Sequence, residues 1–234
     1  VTVYGLYLES GPQHRKTMVH ILDLLGCVVR GATTEDALAA TTGGIGDYLA
    51  FLRAQGERVP AARDRIETSV VIHTTEGKRL GEGDPDGGFA PDFAPLSEAD
   101  ARTYALRLDA MQHEFAGLLA DLPARTLAAE PDAGRSLLRI LGHLAGAQYG
   151  YLQGPLSKPA GLSAAVRAVE EGPDPLGAFE ECRALVRARL AGVTEAERTA
   201  TVRHGAKQWT VRRALRRSLE HQWEHLVEVR QRLA

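Results

Sequence analysis

The stretch GEGDPDGGFAPDFAPLS, residues 81–97, constrains this chain more than any other. Proline removes a backbone donor and fixes φ, and glycine and aspartate favour turns, so neither a long helix nor a ladder strand runs through it. On either side the hydrophobic pattern differs. Residues 1–80 and 98–234 are therefore expected to fold as two domains joined by an 81–97 linker. Asp84 and Asp86 share the spacing of a calcium loop, but its third acidic position and distant bidentate glutamate are missing, so they read as turn chemistry.

The first part has strand grammar. VTVYGLYL and RKTMVHIL are rich in β-branched and aromatic residues, and SGPQ between them supplies a hairpin turn. Gly26 and Gly31 read as turn residues. Thr33 or Thr34 then caps a helix with Glu35 and Asp36 in its first turn, where negative charge is favoured. Ile45, Leu49 and Leu52 share one face of it, while Gly43, Gly44 and Gly46 weaken its middle by about 1 kcal/mol each, so the helix must lean on a partner. IETSVVIHT, residues 66–74, supplies a third strand. The expected fold is α+β: a small antiparallel sheet plus one helix.

HILDLLGCVVRGATTEDALAATTGGIGDYLAFLRAQGERVP, residues 20–60, resembles the HicB-type antitoxin domain in its strand, "GC" turn, helix start, "YL" helix end and closing proline. The proline common before the turn glycine is Leu25 here. The resemblance implies a HicB-like domain over residues 1–75 and a sheet edge for a protein partner or a second copy, making a homodimer. That family's DNA-binding tail is absent, so nucleic acid is not an expected partner.

From Glu98 onward strands give way to helical periodicity. Four patterns, near 97–121, 135–153, 174–191 and 210–233, predict an all-α four-helix bundle, with a short extra helix around 162–170 in one long connection. In SLEHQWEHLVEVR, His221 and His225 stand four residues apart, about 40° from each other around the axis, on the flank of a stripe of Leu215, Leu219, Leu226, Val229 and Leu233. Two imidazoles alone hold a metal poorly. His143 lies on the matching flank of the Leu137, Leu141, Leu144 and Leu152 stripe and is the candidate third donor. A neutral three-histidine set leaves a divalent ion its charge and open positions, the arrangement of a reactive site. No HExxH is present, which argues against a zinc-protease centre. Glu220, Glu224 and Glu228 read as solvent-side partners of Arg216, Arg217 and Arg232. His113 and His204 read as ordinary surface histidines, the latter in a loop.

LRLDAMQHEFAGLLADLP, SLLRILGHLAGAQYGYL and WTVRRALRRSLEHQWEHLVEVRQRL together resemble the DinB/YfiT-like superfamily over residues 98–234. Its second-helix histidine and fourth-helix HxxxH pair match His143, His221 and His225. The resemblance implies a divalent metal, with zinc or nickel ahead of iron or manganese. It also implies a thiol-dependent S-transferase or isomerase, linked to stress responses, that uses a low-molecular-weight thiol such as bacillithiol, mycothiol or glutathione. Gln148, Tyr151 and Trp209 are the candidate substrate-binding residues. The alternative is a non-catalytic regulatory protein, toxin–antitoxin-like, acting through its first domain.

Composition narrows the partners. A net charge of −2 with 25% charged residues gives nothing strongly basic to recruit a polyanion. No apolar run approaches the roughly 20 residues of a membrane span, and the N-terminal residues lack a leader pattern, so the cytoplasm is the expected compartment. Cys27 and Cys182 are too far apart in sequence for a CxxC clip and read as buried small hydrophobes.

Overall fold

The computed structural model describes residues 1–61, 64–83, 88–205 and 207–234; Asp84 and Asp86 lie outside them. The chain forms two compact units, Val1–Phe93 with Arg203–Gln208, and Ala94–Val202 with Trp209–Ala234.

The first unit is a four-stranded sheet with one long helix. Strands β1 (Thr2–Glu9) and β2 (Arg15–Ile21) form the expected antiparallel pair, with Tyr7 opposite His20 and Leu8 opposite Val19. A further strand, β3 (Cys27–Thr33), pairs antiparallel with β2 where the sequence suggested turns. Helix α1 (Thr34–Ala54) follows, and β4 (Ile66–Thr74) then pairs parallel with β1, giving the order β3-β2-β1-β4. The sheet is thus mixed rather than antiparallel. The cause is α1: at 21 residues it runs about 31 Å back along the sheet, so β4 starts from the same end as β3, as in any helical crossover.

Local chemistry fixes these elements. Thr33 accepts the Asp36 N–H at 3.1 Å while the Asp36 carboxylate accepts the Thr33 N–H at 3.2 Å, a capping box. Ile45, Leu49 and Leu52 are buried where α1 packs on β3 and β2, and the Tyr48 hydroxyl donates to the Leu25 carbonyl at 2.9 Å. Gly31 is no turn residue. A Cβ there would stand 2.3 Å from the Ala37 backbone nitrogen, so its absence lets β3 and α1 touch, and a Cβ on Gly44 would likewise meet Val29 at 2.5 Å.

The second unit is helical. It contains α2 (Glu98–Ala120), α3 (Ala124–Ala128), α4 (Leu137–Leu152), α5 (Leu162–Glu171), α6 (Pro175–Ala191), α7 (Glu195–Thr199) and α8 (Val211–Leu233). That is seven helices among the described residues, where four and one short piece were expected. The additions, α3 and α7, form inside connections rich in good helix formers, and Thr194 and Glu197 make a capping box for α7. The long helices start at Ser97, Ser136, Asp174 and Thr210, each accepting a backbone N–H from three residues on. α2 packs on α6 and α8, and α4 packs on α8 and α5. Their core is Leu108, Met111 and Phe115, Leu141 and Leu144, Phe179 and Val186, and Leu215, Leu219, Trp223 and Leu226. Burying each such side chain contributes about 1.5–3 kcal/mol. His204 sits not in a loop but on β5 (Val202–His204), which pairs with β6 (Lys207–Trp209). No helix is long and apolar enough to cross a membrane among the described residues. Both cysteines are buried and unpaired with each other.

Candidate metal centre

The caps at Ser136 and Thr210 set where α4 and α8 begin, and hence which side chains share a face. Leu141 and Leu144 on one helix and Leu219 and Leu226 on the other are buried, which turns the flanking histidines toward the seam between them. The helices run antiparallel: His143 meets His221 and His225, and two turns further on Tyr151 meets Arg217. Ring centroids of the three histidines are 4.7, 5.3 and 4.8 Å apart. One nitrogen from each lies within 4.8 Å of the other two, with Nε2 of His143 and Nε2 of His221 at 2.9 Å. Three nitrogens on one tetrahedral ion at about 2.0–2.1 Å stand roughly 3.3 Å apart, inside that range. No other such cluster of His, Cys, Asp or Glu occurs among the described residues.

Burial and nearby positive charge keep protons off two of the rings. Burial, then the charges of Arg135 and His225, push His143 from the usual 6.5 down to about 4. Burial, then His225, Arg217 and His143, hold His221 well below its ordinary value. Both rings are neutral at pH 7, and each keeps a lone pair on one ring nitrogen. Glu228 positions the third. His225 Nδ1 donates to the Glu228 carboxylate at 2.7 Å, which leaves Nε2 as the free lone pair, and Arg232 holds the other carboxylate oxygen.

Sequence spacing missed this role of Glu228, although its position three residues after His225 is the signal that would have shown it. Glu220 departs further from expectation. It is not on a solvent side but fully buried, where one carboxylate oxygen accepts from Arg216 Nη1 at 2.8 Å and Arg217 Nη1 at 3.0 Å, both arginines being buried as well. The first ten residues of α8 are buried almost all round, so the helix has no outward face there. Of the candidate substrate residues, Tyr151 stands beside the triad. Its ring centroid is 5.9 Å from that of His221, and its hydroxyl accepts from Arg217 Nη2 at 3.4 Å. Gln148 is buried on the core side of α4, and its Nε2 finds no acceptor. Trp209 is buried under Arg213, whose guanidinium carbon stands 4.9 Å from its ring, and it lies against Gly154; these contacts anchor the start of α8. His113 is exposed.

The sequence model of the DinB superfamily matches residues 107–229, which includes all three histidines and more than half of the chain. The chain belongs to the DinB superfamily. The match leaves residues 1–106 of this DinB protein outside it. A human exocyst complex component 3-like protein is 39% identical over 61 residues, 26% of the chain and 8% of that protein, so the chain spans less than a tenth of that relative's length. No solved structure matches the chain. The three imidazoles have the donor chemistry to hold a metal ion.

Proposed function

We propose that this DinB protein is a metal-dependent enzyme in which His143, His221 and His225 hold one divalent ion, with zinc or nickel ahead of iron or manganese. A low-molecular-weight thiol is its cosubstrate in S-transfer or isomerisation. The observation that carries this reading is the convergence of three imidazole nitrogens within 4.8 Å at the seam of α4 and α8. When bound, such an ion lowers the pKa of a thiol and supplies a nucleophile near neutral pH. The chain's own groups do the rest. Glu228 orients His225, the core leucines of α4 and α8 exclude water from one side, and Tyr151 with Arg217 offers a hydroxyl and a cation beside His221 to orient a polar substrate. Gln148, with an unsatisfied amide, supports a role as a further polar contact.

Metal content of the wild type and of His143→Ala, His221→Ala and His225→Ala, measured by plasma mass spectrometry, tests the site. About one ion per chain in the wild type and loss in all three variants is expected. Cobalt-loaded protein whose visible spectrum does not change on adding bacillithiol, mycothiol or glutathione would sink the thiol reading.

A second reading rests on a separate observation in the first unit. The edge strand β4 exposes Val70, Val71 and Ile72 in succession, and an exposed apolar stretch on an edge strand pairs readily with another strand. It supports the HicB-like resemblance and a regulatory protein that binds a second copy or a protein partner through this edge. Val70→Lys with Ile72→Lys is expected to reduce the mass in light scattering to that of a single chain while metal content stays unchanged. A wild type already monomeric at high concentration argues against self-association.

A further inference from the structure

The second unit also contains a cleft that shares no residue with the histidine site. Its volume is about 500 Å³, within the range of small-ligand pockets. One wall is the first turns of α2, with Arg102 and Leu106; the other is the last turn of α6, with Arg187 and Leu190, continued by Val193 and Arg198. The two helices run antiparallel, since Arg102 and Leu106 share the cleft with Arg187 and Leu190 while Phe115, further along α2, meets Phe179, earlier on α6; Arg183 and Arg187 both reach Asp109, at 3.3 and 3.7 Å. Leu190 is buried in the floor, whereas Leu106 at the rim is 62% exposed. A large aliphatic side chain left that open beside a cleft provides apolar surface for a ligand to cover.

The charges are uneven. Glu98 pairs with Arg102 at 3.0 Å, so those two cancel. Arg187 shares Asp109 with the closer Arg183. Arg198 donates Nη1 to the neutral Val193 carbonyl at 3.2 Å, and its buried Nε finds no acceptor. An unsatisfied guanidinium N–H next to an open cleft points to a missing acceptor, and guanidinium prefers a carboxylate or phosphate in that role.

We propose that this cleft binds a single-chain amphiphilic anion, a carboxylate on an aliphatic tail of roughly eight to ten carbons, the size a pocket of this class encloses. The head meets Arg198 and Arg187, and the tail lies over Leu190, Val193 and Leu106. A lipid with two acyl chains is too large for the cleft. The site is independent of the metal reading.

Calorimetric titration of the full chain with decanoate, below its micellar concentration, is expected to show one site. Decanol and acetate each lack half of the chemistry and should bind at least about tenfold more weakly. Leu106→Glu, at an exposed position that tolerates change, should weaken decanoate binding about tenfold or more by placing a carboxylate beside the ligand, and Arg198→Met should do the same. His143→Ala should retain binding, which separates this cleft from carboxylate ligation at the histidines. Decanol binding as tightly as decanoate, binding lost in His143→Ala, binding untouched by Leu106→Glu, or no binding at all overturns the proposal.

Discussion

Replacing Glu228 isolates the positioning of a proposed metal ligand, His225, from the ligand itself. His225 Nδ1 and the Glu228 carboxylate are 2.7 Å apart, a charge-assisted bond of the kind that contributes about 1.5–3 kcal/mol, against about 0.5–1.5 for a neutral one. The Glu228 side chain is 34% exposed, so solvent screening places it at the low end of that range. Glu228→Ala should then cost about 1.5 kcal/mol of metal affinity, roughly tenfold in Kd. This is also the lower end of what outer partners of metal-bound histidines contribute. Glu228→Gln keeps an acceptor but loses the charge; it should cost about 0.7 kcal/mol, roughly threefold. The assay is zinc titration against a competing chromophoric chelator at pH 7, with His221→Ala as the variant that loses the site outright. If wild type, Glu228→Gln and Glu228→Ala share one Kd while His221→Ala loses binding, the carboxylate does not orient His225 and the reasoning fails.

Other perturbations separate the two units. Glu220→Ala leaves Arg216 and Arg217 buried without their shared carboxylate, so urea unfolding should show a loss of about 3–5 kcal/mol; a loss under 1 would mean the cluster opens to water. In metal-free protein, His143 has a folded pKa of about 4, below the unfolded 6.5. The unfolded chain therefore takes up the proton first, and stability should be steady above about pH 6.5 and fall as pH drops toward about 4, with a shallower fall in His143→Ala. Thermal unfolding at stepped pH reads this directly, and equal slopes would refute it. In the first unit, Gly31→Ala should destabilise by about 1–3 kcal/mol through the clash with Ala37, whereas Gly43→Ala, where nothing lies within 4 Å, should stabilise α1 by up to about 1 kcal/mol. Denaturant midpoints that move the same way for both would contradict the packing described.

The three histidines were legible because a helix is a rule for converting spacing into direction. Four residues place His221 over His225, and the leucine stripes of α4 and α8 put His143 on the flank that faces them. Nothing non-local was needed beyond the pairing of two stripes. The direction of β4 was not legible, because it depends on where α1 delivers the chain, and no pattern inside IETSVVIHT distinguishes parallel from antiparallel pairing. β3 was obscured by Gly26 and Gly31, which look like turn signals; only the close approach of Ala37 explains the second of them. Glu220 was misjudged for a different reason. Hydrophobic periodicity assigns charged residues to water, but a carboxylate with arginines three and four residues before it on the helix brings its own counterions, and such a group can be buried without showing in the pattern.

That burial bears on what α8 is for. Arg213, Arg216, Arg217, Ser218, Glu220 and Gln222 are all buried, on a helix whose apolar stripe would suffice to pack it. Desolvating such groups is costly, and apolar residues of similar volume at these positions are often as stabilising or more so. Selection for folding alone therefore gives little reason to keep them. Their placement gives another: Arg217 lies one turn before His221, contributes to holding that imidazole neutral, and donates to Tyr151 beside it. A guanidinium this close opposes protonation of the histidine and favours an anionic ligand over a neutral one at the same place.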